Sequence, residues 1–152
     1  MRVVVGSDGN GLQLKNYLAN ALKAAGYTVI DIGVNADREA DYPHVAFEAG
    51  QQIAEGTADR ALLVCGTGLG MAIAANKIKG VRAVTAHDIH SVERSVLSNN
   101  AQVLCMGQQI IGPQLAERLV QVWLALHFDS ATASARKVGH IVAFESAGHL
   151  ST

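Results

Sequence analysis

A cysteine followed at once by a glycine-rich turn is the part of this chain best suited to chemistry. Cys65 ends an apolar run, and Gly66, Gly68 and Gly70 follow before a helical pattern begins. Backbone N–H groups at a helix start are unpaired and carry the positive end of the helix dipole, so such a turn can bind a phosphate or an enolate oxygen. The same field favours a thiolate. The turn therefore predicts a reactive thiol beside an anion site, with the Thr67 hydroxyl available to donate a proton.

This turn also has interpretations other than a reactive thiol. A free cysteine that closes an apolar strand is often only a small buried hydrophobe. A phosphatase loop of the Cys-x5-Arg type needs arginine where Met71 stands, and the turn lacks both the Walker lysine and the full Gly-x-Gly-x-x-Gly spacing of a nucleotide site. A redox site lacks a resolving partner, because Cys105 closes a different strand. The glycines favour chemistry at Cys65 over packing, and a thiolate acting as a base remains open.

Five polar side chains elsewhere are candidates for binding a ligand. Asp8 follows the first strand and either caps the next helix or faces a ligand hydroxyl. His44 is either a solvated first-turn residue or a ligand-binding one. Asn99 ends a helix, as a cap or as a group that binds sugar hydroxyls. Arg136 and Lys137 begin the last helix, where they are either solvated or available to bind a phosphate.

Alternating strand and helix patterns must position these residues. Short β-branched runs alternate with longer helical patterns, which is typical of a parallel sheet covered by helices on both faces. Strands are predicted at residues 3–7, 28–32, 61–65, 81–86 and 102–106, and a last helix at about 134–147. If the strand order is 2-1-3-4-5, the loops after the first and third strands face each other where the order reverses, which is where ligands bind in such sheets.

Composition limits the class of protein. The chain has 152 residues, 49% of them hydrophobic, which suits one domain over residues 1–152 with a buried core. The formal net charge is −1, so we expect no nucleic acid and no membrane as a partner. No apolar stretch approaches the roughly 18 residues of a membrane span, and the first turn comes too early for a signal peptide, so we expect a cytoplasmic protein. The cysteines lack metal-ligand spacing, so no metal is predicted.

Five blocks of the sequence resemble the ribose-5-phosphate isomerase B and galactose-6-phosphate isomerase family. They are Gly6-Ser-Asp8, Asp41-Tyr-Pro-His44, Cys65 to Lys77, Gly80-Val-Arg-Ala83 and Asn99-Asn-Ala-Gln-Val-Leu104. The blocks occur in the family's order over approximately residues 2–128. The resemblance implies a Rossmann-like three-layer α/β/α sandwich and the interconversion of phosphorylated aldoses and ketoses without metal or cofactor. It also implies a homodimer or tetramer with active sites at the subunit interface.

The resemblance also implies roles for the candidate residues. Isomerisation requires a base that removes the proton next to a carbonyl and a site that stabilises the resulting enediolate. Cys65 is expected to be the base, because Met71 stands where one branch of the family has a glutamate. Thr67 is expected to move protons between the two oxygens. The predicted substrate-binding residues are Asp8, His44, Gly66, Gly68, Gly70, Asn99, Arg136 and Lys137.

Departures from the family pattern bear on the substrate. The histidine usual after the first-loop aspartate is Gly9, the histidine implicated in opening the sugar ring is Ser98, and a usual arginine is Gln109. A four-carbon sugar 4-phosphate has no free hydroxyl with which to close a furanose, so it needs no ring-opening group. The segment from His87 to Gln102 also resembles members that act on erythrulose or erythrose 4-phosphate. We therefore predict a tetrose phosphate, with ribose 5-phosphate as the rival substrate and a non-catalytic sugar-phosphate sensor as the alternative function.

Overall fold

The computed structural model describes residues 1–148, in which five parallel strands alternate with helices. The strands are β1 (Arg2–Ser7), β2 (Thr28–Gly33), β3 (Arg60–Cys65), β4 (Ala83–Thr85) and β5 (Val103–Gly107). The helices are α1 (Leu12–Ala24), α2 (Tyr42–Ala54), α3 (Leu69–Ala75), α4 (Ile89–Leu97), α5 (Pro113–Ala125) and α6 (Ala133–Ala147), and a 3-10 turn at Gly9–Gly11 precedes α1. The predicted α/β class with a five-stranded parallel sheet is confirmed.

Two apolar layers hold helices against the two faces of the sheet. One layer packs α1, α4 and α5 and includes Leu18 and Trp123. The other packs α2 and α3 and includes Val45 and Met71. Successive side chains of a strand point to opposite faces, and Cys65 belongs to the α2 and α3 layer. The predicted three-layer sandwich is therefore observed.

The strand order is 2-1-3-5-4, so the predicted order 2-1-3-4-5 is wrong in its last two positions. All five residues of β5 are buried, which suits a strand covered on both faces, whereas β4 has three residues, two of them partly exposed, and forms an edge. The predicted adjacency of β1 and β3 holds, since Ser7 pairs with Val64. The new neighbour of β3 is β5, so the loop after Gly107 reaches the same edge as the loop after Cys65.

Capping residues and prolines fix where the helices at this edge begin. Oδ1 of Asp8 accepts a hydrogen bond from the N–H of Gly11 at 3.1 Å, which starts the 3-10 turn after β1. Oδ1 of Asp88 accepts one from a first-turn N–H of α4 at 2.8 Å. Pro43 and Pro113 lie in the first turns of α2 and α5, where a helix does not need the missing N–H. These helix starts hold the loops that follow the strands.

Candidate active site

An open cleft of about 370 Å³, called the thiol cleft because Cys65 lines it, lies at the carboxyl edge of the sheet, where the loops after β1, β3 and β5 meet. Asp8, Cys65 and Thr67 come together in it from two of these loops, as the sequence predicts. This is the place that ligands occupy in open α/β sheets. The lining residues are Asp8, Asn10, Tyr42, Cys65, Gly66, Thr67, Gly70 and Gln109.

Cys65 borders this cleft although only 5% of the residue is exposed. Its Sγ accepts a hydrogen bond from the backbone N–H of Gly68 at 3.0 Å. An N–H that points at sulfur stabilises a thiolate more than a thiol. Gly68 makes this contact with a left-handed φ of 79°, and a Cβ there would lie 2.9 Å from the backbone of Met106, so only glycine fits. The turn after β3 is thus shaped around the sulfur of Cys65.

The hydroxyl of Thr67 belongs to the same turn. Its Oγ1 accepts a hydrogen bond from the N–H of Leu69 at 3.3 Å, at the start of α3. The N–H groups of Gly68 and Leu69 are therefore used within the turn, which reduces the predicted anion site to the N–H groups of Gly66, Thr67 and Gly70. The Thr67 hydroxyl keeps its own proton, which it can donate to a bound oxygen.

Asp8 both caps the turn after β1 and lines the cleft, so the two roles that the sequence leaves open are compatible. Burial raises the pKa of the Asp8 carboxyl, backbone N–H groups including that of Gly11 oppose this, and the negative charge of Asp41 adds to the increase. A carboxyl with a raised pKa exchanges protons closer to neutral pH. Asp8 is therefore suited to contact a polar hydrogen of a ligand.

Three lining residues, Asn10, Tyr42 and Gln109, are not among the predicted site residues. The ring of Tyr42 lies against Gly70, where a Cβ would be 2.6 Å from Cε2. The Gln109 side chain lies against Gly66, at 3.3 Å from the position of a Cβ, and the backbone N–H of Gln109 donates to the Gly66 oxygen at 3.0 Å. The sequence marks Gln109 only as a departure from the family pattern. Its place in the cleft follows from β5 lying beside β3, which the predicted order misses.

His44 lines an adjoining cleft rather than the one that holds the thiol. This cleft measures about 530 Å³ and also includes Glu39 and Asp41. The His44 ring packs edge-on to Phe47, with ring centroids 6.4 Å apart. Asp41 lines this cleft, and the next residue, Tyr42, lines the thiol cleft, so the two clefts adjoin. His44 is thus near the thiol cleft but outside its lining.

Asn99 lies near the amino-terminal ends of the strands, whereas Cys65 lies at their carboxyl ends. It precedes β5, whose last residue, Gly107, pairs with Cys65. A strand rises about 3.3 Å per residue, so the first residue of β5, Val103, is already about 13 Å from the cleft edge. Asn99 therefore does not contribute to the cleft of its own chain.

The predicted phosphate ligands also lie away from the thiol cleft. Arg136 and Lys137 are exposed on α6 and are not part of the lining. Nη1 of Arg136 is 3.4 Å from Nε2 of His140 on the same helix. Of the residues that the structure describes, no lysine or arginine lines the cleft. A phosphate bound there would have no lysine or arginine of the cleft lining to pair with.

A third cleft, of about 380 Å³, lies between α1 and α5 and contains none of the predicted site residues. Its lining is largely apolar, and Tyr17 is its one titratable residue in the described part of the chain. Across residues 1–148, no group of three or more histidine, cysteine, aspartate or glutamate side chains is placed to hold a metal ion, and no helix is long and apolar enough to cross a membrane. We therefore assign the chemistry to the thiol cleft.

Comparison with known proteins identifies the family. Residues 3–141 match the Ribose/Galactose Isomerase family. The chain belongs to this family. The isomerase is 55% identical over 150 residues to D-erythrulose-4-phosphate isomerase 2 of Mycolicibacterium smegmatis, with 97% of this chain and 99% of that protein covered. It is 36% identical over 128 residues to ribose-5-phosphate isomerase B of Escherichia coli, with 84% and 86% covered.

A solved structure agrees with the family assignment. Ribose-5-phosphate isomerase B of Clostridium thermocellum superposes on the isomerase with a TM-score of 0.92 at 36% identity, covering 98% of this chain and 100% of that one. The predicted resemblance and the predicted enzyme class are both confirmed. The chain is an aldose–ketose isomerase, and the thiol cleft is its candidate active site.

Proposed function

We propose that this isomerase interconverts the ketose and aldose forms of a four-carbon sugar 4-phosphate, erythrulose and erythrose 4-phosphate, through a cis-enediolate. The observation that carries the proposal is the thiol cleft, in which Cys65 lies with the Thr67 hydroxyl and the Asp8 carboxyl. The 55% identity to a D-erythrulose-4-phosphate isomerase, against 36% to a ribose-5-phosphate isomerase B, supports the four-carbon substrate.

Cys65 is the base in this mechanism. Its thiolate, stabilised by the Gly68 N–H at 3.0 Å, removes the proton from the carbon next to the carbonyl. The electron pair of the broken C–H bond forms the C=C bond of the enediolate, and the negative charge moves to oxygen. The N–H groups of Gly66, Thr67 and Gly70 donate hydrogen bonds to that oxygen. The Thr67 hydroxyl transfers a proton between O1 and O2, and the thiol, whose proton exchanges with solvent while the enediolate is bound, delivers a proton to the other carbon.

The remaining polar groups of the cleft bind the sugar hydroxyls. The Asp8 carboxyl, with its raised pKa, accepts or shares a hydroxyl proton. Tyr42 and Gln109 add a phenol and an amide that each donate and accept hydrogen bonds. His44, from the adjoining cleft, contacts the far end of the substrate. These groups hold the substrate so that C1 and C2 face Cys65.

We infer that the active site is completed at an interface between two copies of the chain, in a homodimer or a tetramer. Leu69 and Ile73 of α3 are 58% and 64% exposed beside the cleft, and apolar side chains this exposed indicate a partner surface. Asn99 does not reach its own cleft, so it binds hydroxyls in the cleft of the other subunit. Arg136 and Lys137 supply that cleft with the cations that a phosphate needs.

Ser98 favours a tetrose over a pentose. Its Oγ accepts a hydrogen bond from Nε of Arg94 at 2.8 Å, and Nη2 of the same guanidinium also contacts it. A serine hydroxyl paired with a permanently charged guanidinium does not act as a base near neutral pH, so it does not open a sugar ring. Erythrose 4-phosphate needs no ring opening, because the C4 oxygen that would close a furanose carries the phosphate.

The choice of substrate is tested by comparing kcat/KM of the purified isomerase on two ketoses, D-erythrulose 4-phosphate and D-ribulose 5-phosphate. We expect a value at least about tenfold higher for the tetrose, because a site shaped for a shorter chain discriminates by about 1–3 kcal/mol per added carbon. Both ketoses are open chains, so this comparison isolates chain length. Product formation is followed by NMR.

The aldose D-ribose 5-phosphate provides the matched control for ring opening. It closes into a furanose, so at high enzyme concentration we expect its conversion to level off at the rate of uncatalysed ring opening, whereas the conversion of D-ribulose 5-phosphate should keep rising with enzyme concentration. A clear preference for either pentose over the tetrose would refute the four-carbon proposal. Binding of these sugars without turnover would instead favour the sensor.

A further inference from the structure

The side chain of His87 binds a backbone N–H of β5 that has no hydrogen-bond partner on a neighbouring strand. His87 follows β4 and is half-buried. Its Nε2 accepts a hydrogen bond from the N–H of Gly107, the last residue of β5, at 2.8 Å. A ring nitrogen that accepts a hydrogen bond carries no proton, so the imidazole is neutral and its proton is on Nδ1.

Gly107 needs this acceptor because β4 ends too early to pair with it. The last backbone hydrogen bond between the two strands runs from the N–H of Ala86 to the oxygen of Cys105 at 3.3 Å. Alternate residues of a strand face the same neighbour, so the next N–H of β5 on that side belongs to Gly107. Gly107 is buried, and a buried N–H without a partner is costly. The imidazole takes the place of the missing strand.

Gly107 in turn lies directly against the turn that carries the proposed base. A Cβ on Gly107 would be 2.6 Å from Cα of Thr67 and 2.7 Å from the oxygen of Gly66, so the two backbones are in contact. The next two N–H groups of the chain donate to the oxygens of Cys65 and Gly66 at 2.9 and 3.0 Å. A displacement of Gly107 would therefore displace Cys65 and Thr67.

We propose that His87 is a positioning residue of this isomerase: its neutral imidazole fixes Gly107, and through Gly107 it fixes Cys65 and Thr67, so that turnover falls when the ring is protonated. The proposal rests on the proposed role of Cys65 as the base. A protonated imidazole presents an N–H to the N–H of Gly107, where an acceptor is required. The two donors repel each other, and the end of β5 moves away from the turn.

The surroundings of the ring place this loss at acid pH. Burial lowers the pKa of His87 from its ordinary value of 6.5, and the negative charge of Asp88 opposes the shift. The other titratable or charged groups on the elements around the ring are His90, Glu93 and Arg94 of α4, Arg60 and Cys65 at the two ends of β3, and Cys105 of β5, and burial raises the pKa of Cys105. Cys105 therefore stays neutral, and the loss of kcat is expected below pH 6.5.

The test compares two variants of the full chain over pH 5 to 9. His87→Gln keeps an acceptor that does not titrate, so we expect kcat at pH 8 within about threefold of wild type and no acid loss beyond that caused by the substrate phosphate, which titrates near pH 6. His87→Leu keeps no acceptor, and we expect kcat to fall about tenfold or more at every pH, with a smaller change in KM. Thr85→Val is the control for losing a hydrogen bond to the same turn without losing a titratable group. It removes the hydrogen bond that Thr85 Oγ1 donates to the Gly68 oxygen at 2.8 Å.

The proposal is overturned if His87→Gln keeps the acid loss of the wild type, or if His87→Leu has the wild-type kcat. A readout without substrate separates these outcomes from a failure of the proposed function. In ¹⁵N NMR of the free wild-type protein, the amide of Gly107 should shift with the same midpoint as the His87 ring, whereas in His87→Gln it should not titrate. A Gly107 amide that ignores the His87 titration contradicts the proposal whatever the activity of the protein.

Discussion

Replacing Cys65 with alanine is expected to lower kcat on D-erythrulose 4-phosphate by about 10²–10⁴-fold, the usual contribution of a general base. The substitution removes the one thiol of the cleft and leaves its other lining groups in place, so KM should change by only about threefold or less. Steady-state kinetics on the purified variant measures both. Its circular dichroism and thermal unfolding midpoint show whether the fold is retained.

Cys105→Ala is the matched control for the loss of a thiol. Cys105 lies on the neighbouring strand in the same apolar layer, but it is fully buried and does not line the cleft. Its replacement is expected to lower stability and to leave kcat per folded molecule close to wild type. A Cys65→Ala variant that keeps kcat within about threefold of wild type would show that another group is the base.

A heterodimer made of two impaired variants is expected to regain activity if the sites are shared. Cys65→Ala lacks the base, and Asn99→Ala lacks an amide that binds substrate hydroxyls, which should cost about 1–3 kcal/mol. In a mixed dimer with two-fold symmetry, one site carries both substitutions and the other carries neither, so about half of the wild-type activity should return. Coexpression with two affinity tags, followed by purification on both, isolates this species.

Pairing Cys65→Ala with Cys65→Ala in the same two-tag format controls for effects of the tags. It should remain inactive, because both of its sites lack the base. If the doubly tagged Cys65→Ala and Asn99→Ala dimer has only the mean activity of the two variants, Asn99 does not serve the partner's cleft. The protein eluting as a monomer in size-exclusion chromatography at assay concentration would contradict the shared site as well.

Much of the site follows from the sequence because its residues lie at strand ends. Asp8 and Cys65 each end or follow an apolar run, and parallel strands bring such ends to one edge of the sheet. The glycines after Cys65 predict a tight turn, and the structure shows why Gly68 is needed, with its left-handed backbone close to Met106. Gly70 has a different reason, which is the ring of Tyr42 lying on it. That contact joins two distant segments, so no local pattern reveals it.

The errors in the predicted strand order and cleft lining arise because the position of β5 in the sheet decides which loops meet. The runs 81–86 and 102–106 appear equally strand-like in sequence, yet the first forms a short edge strand and the second an interior one. Placing β5 beside β3 brings Gln109 onto Gly66 and makes the contact between Gly107 and Thr67, neither of which the predicted order contains. For Asn99, a motif along the sequence does not tell whether the residue lines the cleft of its own chain or the cleft of another copy.

Exchange with solvent deuterium tests proton transfer by Cys65 most directly. D-erythrulose 4-phosphate is equilibrated with the isomerase in D2O, and its C1 protons are followed by ¹H NMR beside a sample without enzyme. Proton transfer through an enediolate predicts that wild type replaces one of the two C1 protons with deuterium and that Cys65→Ala does so at least about 10²-fold more slowly. Complete isomerisation without deuterium at C1 would show that the migrating hydrogen does not exchange with solvent, as expected of hydride transfer between the two carbons, and would contradict proton transfer by an exchanging Cys65 thiol.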